Sequence, residues 1–152
     1  MRPSKVAASV APGCIDPVHM MDVVFPNQTN HYGTLFGGQA LALMDRAAFI
    51  AATRFARCVV VTASSQKTDF HTPVVQGQLV ELVARVISTK RSSMVVEVEL
   101  FGEALLTGAR SLCTRGEFTM VALDANGKPT QVPAFISVAA PDVIVRGEVD
   151  AS

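Results

Sequence analysis

The chain has 152 residues, 49% of them hydrophobic and 17% charged, with 13 basic residues against 13 acidic ones. That length suits one domain with a real core, and that composition excludes a disordered chain. The even charge balance gives no broad basic footprint for nucleic acid, and no apolar run reaches the roughly 18–20 residues that a membrane span needs. Cys14, Cys58 and Cys113 are odd in number and lack CxxC spacing, which fits a reducing compartment; the expected location is the cytoplasm.

In chain order, residues 1–17 carry Pro3, Pro12, Gly13 and Pro17 and read as a flexible leader. Residues 18–25 suit a first strand, stopped by Pro26-Asn27. A polar loop from Asn27 to Thr34 leads to Gly37-Gly38, which opens a long helix running to about Arg57. Residues 58–70 read as a strand that turns polar towards Phe70. In residues 78–88, Val80, Leu82, Ala84 and Val86 share one face, with Glu81 and Arg85 on the other. In 93–101, Met94, Val96, Val98 and Leu100 oppose Glu97 and Glu99. In 111–123, Leu112, Phe118, Met120 and Ala122 oppose Arg115, Glu117 and Thr119. A period of two marks antiparallel strands with one face on a core. Asp124-Ala125-Asn126-Gly127 predicts a turn, and 129–152 reads as an irregular tail beyond a single domain over 18–128. One early helix followed by alternating strands implies an α+β architecture, an antiparallel sheet wrapped around one helix.

Within the helix, Asp45 is the residue out of place. Turning about 100° per residue, Gln39, Arg46, Thr53, Arg54 and Arg57 gather on one side, whereas Leu41, Ala42, Ala48 and Phe49 surround Asp45 at i±3 and i±4. No cation one turn away pairs with it, so a carboxylate is expected on the packed side of the helix. It either bonds to a distant part of the fold or projects into a pocket as general base or nucleophile. Gly37-Gly38 sharpens the second alternative, because first-turn N–H groups have no intrahelical acceptor and can stabilise an oxyanion or hold a phosphate. The carbonyl of a substrate bound at the glycine end is expected within reach of Asp45, directly or through a water.

The run Asn30-His31-Tyr32-Gly33-Thr34-Leu35-Phe36-Gly37-Gly38-Gln39-Ala40-Leu41-Ala42-Leu43-Met44-Asp45 resembles the signature of the bacterial cytosolic acyl-CoA hydrolases and the brain and brown-fat acyl-CoA thioesterases. Val61-Thr62-Ala63-Ser64, Asp69-Phe70 with Pro73-Val74, and Arg91-Ser92-Ser93-Met94 are similar to the family's later segments. The resemblance runs from about Val18 to Leu123. It implies a hotdog fold, homo-oligomers built from dimers (commonly trimers of dimers), and active sites between subunits. It implies that Asp45 is catalytic, that Asn30 contributes, and that Gly37 supplies an oxyanion-hole N–H. It also implies that Lys90, Arg91, Ser92 and Ser93 hold CoA, which a plain solvated hairpin tip would not. Many hotdog enzymes carry His before the Gly-Gly pair; here it is Phe36, which weakens a hotdog dehydratase. The other alternative is a non-enzymatic acyl-CoA-binding sensor on the same scaffold. His19 and His71 lack partners at metal-ligand spacing, so no metal is expected, and no cofactor beyond the CoA carried by the substrate. No GxSxG elbow surrounds Ser64 or Ser65.

Overall fold

A computed structural model describes residues 12–13 and 16–134. Of the expected leader, residues 1–11, 14 and 15 lie outside the described residues, as do 135–152 of the tail. Five strands, β1 (Val18–Val23), β2 (Val59–Phe70), β3 (Leu79–Thr89), β4 (Ser93–Glu103) and β5 (Arg110–Leu123), make one antiparallel sheet in the order β1-β3-β4-β5-β2. One long helix, α1 (Gly37–Ala56), packs on it, and a 3-10 turn, Pro26–Gln28, precedes the loop into α1. This open sheet wrapped on a single helix is the hotdog architecture.

The period of two accounts for the inner face. Val80, Leu82, Ala84 and Val86 of β3 and Met94, Val96, Val98 and Leu100 of β4 are all buried. They meet the ridge Ala40, Leu43, Met44, Ala47, Ala48, Ala51, Ala52 and Phe55 of α1. The alanines keep that ridge low, so the helix lies close on the sheet. Arg57 caps α1 in the left-handed region, its N–H donating to Thr53 O. Past β5 the Asp124 turn closes as expected, and Val132 is buried, its N–H donating to Arg91 O at 2.9 Å. The packed body therefore extends beyond residue 128. No helix among the described residues is long and apolar enough to cross a membrane.

Two expectations are corrected. Leu112 was expected on the inner face, but a register shift between Leu100 and Phe101, opposite this part of β5, leaves it half-buried and puts Cys113 into the core instead. A bulge exchanges the faces of the residues that follow it. Glu81 was expected to face solvent on the outer side of β3, and it is only 8% exposed. Its carboxylate accepts a hydrogen bond from His19 Nδ1 at 2.9 Å and another from Arg110, whose guanidinium also lies 4.1 Å from the centre of the Phe101 ring. The His19 hydrogen bond first, and Arg110 second, hold the Glu81 carboxyl below its ordinary 4.5. A carboxyl with a lowered pKa contributes stability that is complete above the unfolded value and is lost as pH falls through the folded value. Glu81→Gln is therefore expected to cost about 2 kcal/mol at neutral pH by urea unfolding. That difference should shrink below about pH 4, where the unfolded carboxyl takes up a proton that the hydrogen-bonded one resists. An equal deficit at pH 3 and pH 7 would contradict the assignment.

Candidate active site

The helix geometry separates the expected site residues into two groups. Gly37 begins α1, with Phe36 at its N-cap in a non-helical conformation. The loop before it folds on Asn30, whose side-chain oxygen accepts hydrogen bonds from Tyr32 N at 3.0 Å, Thr34 N at 3.1 Å and Thr34 Oγ1 at 3.1 Å. Asn30 is thus a turn-making residue, as Asn commonly is in polar loops, and its amide nitrogen has hydrogens left to donate. Leu35 N donates to Val74 O at 2.8 Å, and Phe70 stands over Gly37. Asn30, Gly37 and Phe70 accordingly share one end of the protomer.

Asp45 lies eight residues further along α1. The expectation that it faces the packed side is corrected: it is half-buried at the margin of the buried ridge, with Ala42 and Phe49 exposed on its other flank. Its partner comes from β2, where Thr62 Oγ1 donates to Asp45 Oδ1 at 2.7 Å. Sequence reasoning did not single out Thr62 as a site residue. Its signals were a hydroxyl residue within an apolar β-strand run and its place in the family-like segment Val61-Thr62-Ala63-Ser64. At about 1.5 Å per residue, the Gly37 N–H and Asp45 are about 12 Å apart along the axis. Groups that act on one carbonyl must come within about 3–3.5 Å of the reacting atoms. The expectation that both reach one substrate within a single chain is therefore corrected as well.

The turn carrying Lys90, Arg91, Ser92 and Ser93 joins β3 to β4. Lys90 N donates to Ser93 O at 2.9 Å, and Ala122 N donates to Ser92 O at 2.9 Å. Arg91 and Ser92 line a surface cavity of about 420 Å³ with Pro129, Thr130 and Gln131. Ser93 pairs with Val121 and Thr62 with Met120, so this turn sits level with Asp45, whereas Phe70 pairs with Thr114 at the far end of β5. At about 3.3 Å per residue, the turn and the Gly37 end are more than about 20 Å apart in one chain.

Residues 32–109 match the model of the thioesterase superfamily. The chain belongs to that superfamily. It is 43% identical over 113 residues to an uncharacterized acyl-CoA thioester hydrolase of Bacillus subtilis, spanning 74% of this chain and 66% of that protein. Among solved structures it is similar to the acyl-CoA hydrolase of Staphylococcus aureus in complex with butyryl-CoA, CoA and CoA disulfide. There the identity is 37% and the TM-score 0.75, over 78% of this chain and 72% of that one. It is also similar to a hexameric acyl-CoA thioesterase, at 40% identity and a TM-score of 0.77, over 83% and 81% of the two chains. The S. aureus enzyme has been solved with alanine replacing, in turn, an asparagine, an aspartate and a threonine set 15 and 17 residues apart. Asn30, Asp45 and Thr62 are separated by the same intervals. The expected family and the expected fold are thus both borne out.

Proposed function

We propose that this protein hydrolyses acyl-CoA thioesters to a carboxylic acid and CoA, at sites shared between two copies of the chain. The observation that carries the reading is Asp45, a carboxylate with no cation one turn away, held by Thr62 Oγ1 at 2.7 Å in a chain of the thioesterase superfamily. Thr62 fixes one carboxylate oxygen and leaves the other free to take a proton from water or to attack the thioester carbon. The Gly37 N–H, reinforced by the helix dipole, receives the developing oxyanion, and the Asn30 amide orients the reacting group.

The 12 Å gap is closed by a second copy. β2 forms one edge of the sheet, and Val59, Val61 and Phe70 on it are exposed, as is Phe49 of α1. A long edge strand left open, with apolar residues at both of its ends, invites pairing with another strand. A two-fold axis perpendicular to that edge strand exchanges the two ends of the protomer. It brings Asn30 and Gly37 of one copy towards Asp45, Thr62 and the Lys90–Ser93 turn of the other. The hexameric relative supports assembly beyond the dimer into a trimer of dimers. The partners are therefore acyl-CoA and further copies of this chain, the location is the cytoplasm, and neither a metal nor a separate cofactor takes part.

Lys90 and Arg91, with the hydroxyls of Ser92 and Ser93, offer cationic and neutral donors to CoA phosphates. Arg91→Ala is expected to raise KM for acyl-CoA about tenfold while kcat changes little, since ground-state and transition-state binding are lost together. A fall in kcat with unchanged KM would remove Arg91 from CoA binding. The reading as a whole is tested by free-thiol release from a panel of acyl-CoAs, with Asp45→Ala as control. Asp45-dependent turnover is expected, and turnover that is indifferent to Asp45 would refute the assignment.

A further inference from the structure

A cavity of about 160 Å³ opens between the start of α1 and the far ends of β2 and β5, lined among others by Leu35, Gly37, Ala40, Phe70, Val74 and Thr114. We propose that this cavity takes the acyl chain and that Phe70 and Ala40 set its length, making the protein selective for acyl groups of up to about six carbons. The inference rests on the thioesterase reading and adds the substrate class to it.

Position is the first argument. Gly37 is part of the cavity wall, so a thioester whose carbonyl oxygen meets the Gly37 N–H has its acyl carbons next to this opening. Shape is the second. A Cβ built on Gly37 would lie 3.6 Å from Cε1 and Cζ of Phe70, which is ordinary van der Waals contact. The ring therefore stands close against the start of α1 and bounds the cavity on that side. Volume is the third, since a dry apolar cavity of about 150 Å³ accommodates benzene, a six-carbon group. The remaining wall is mainly hydrocarbon, and buried Ala40, one turn into α1, is part of it, so a larger side chain there would shorten the space. The cavity at the β3–β4 turn is lined by Arg91, Ser92 and Thr130 and lacks such a wall. Phe70 is 56% exposed in the single chain, so it borders the cavity without being part of the core, on the same β2 edge that meets the second copy.

The test is kcat/KM by thiol release for acetyl- to palmitoyl-CoA with wild type, Phe70→Ala and Ala40→Leu. Wild type is expected to gain about fourfold per methylene up to about six carbons, then to decline. Phe70→Ala should move the optimum to longer chains, and Ala40→Leu to shorter ones. If Ala40→Leu does not fold, Phe70→Ala decides alone, compared with wild type on fractions of the same oligomeric size. Palmitoyl-CoA turned over by wild type as well as hexanoyl-CoA, or an optimum that Phe70→Ala leaves in place, would overturn the pocket assignment alone. Thiol release from no chain length would overturn the thioesterase reading and the pocket with it.

Discussion

Asp45→Asn is expected to lower kcat for acyl-CoA hydrolysis by about 10²–10⁴-fold with little change in thermal stability. The substitution keeps the shape of the side chain and an oxygen able to accept the 2.7 Å hydrogen bond from Thr62 Oγ1. It removes the charge, and with it both routes to the tetrahedral intermediate. An amide cannot take the proton of an attacking water, and it cannot act as a carboxylate nucleophile. Because Asp45 sits at the margin of the buried ridge, beside exposed Ala42 and Phe49, the fold does not depend on its ionisation. Thr62→Val separates positioning from chemistry. It removes the hydroxyl at nearly constant volume, frees the Asp45 carboxylate to rotate, and is expected to lower kcat about tenfold while KM stays near wild type. Thr62→Ser should restore most of the loss, because the hydrogen bond returns. Full turnover in Asp45→Asn, or a Thr62→Ser variant no better than Thr62→Val, would contradict this arrangement.

The sheet and helix were legible because their residues follow simple periods. Val80 to Val86 and Met94 to Leu100 alternate without interruption, and each residue expected inside is inside. The helix start was legible from Gly37-Gly38, and its end at Arg57 lies within a residue of the observed one. What the period could not convey is where a second segment interrupts it. The bulge opposite Leu100 exchanges Leu112 for Cys113, and neither residue type announces it. Glu81 looks like an outward charge until His19 and Arg110, 62 and 29 residues away in sequence, arrive beside it. Asp45 presents the same problem at the site. The absence of a helical partner was readable, but its real partner depends on the register of an edge strand that bulges twice and carries Lys67 at φ 49°. The corrected orientation of Asp45 has a similar origin. Alanine occurs on both the buried and the exposed flanks of α1, so the wheel alone does not say which alanines touch the sheet.

Mixing two inactive variants is expected to restore activity. If one site draws Asn30 and Gly37 from one copy and Asp45 and Thr62 from its partner, an Asn30→Ala chain paired with an Asp45→Ala chain makes two unlike sites. One has lost both side chains and is dead, and the other retains both and is intact. Random pairing puts half of the dimers in this hybrid state, each with one working site of two, so about a quarter of wild-type activity should return. Each parent alone should be reduced about 10²-fold or more, which makes the recovery large against its background. Sites contained within one chain predict the opposite, because no chain in the mixture holds both side chains and nothing is regained. The measurement needs subunit exchange by co-expression with two affinity tags, purification through both tags, and thiol release from the doubly tagged fraction. About half of wild-type activity is expected in that purified hybrid. The Asn30 loop adds a control, since its oxygen also holds Tyr32 and Thr34 in place. Asn30→Asp keeps an acceptor for that turn while losing the donor, so a parent of this type separates loss of the loop from loss of the group offered to the substrate. Recovery with both Asn30 parents would mean that the 12 Å between Gly37 and Asp45 is bridged by the second copy and not by any movement within one helix.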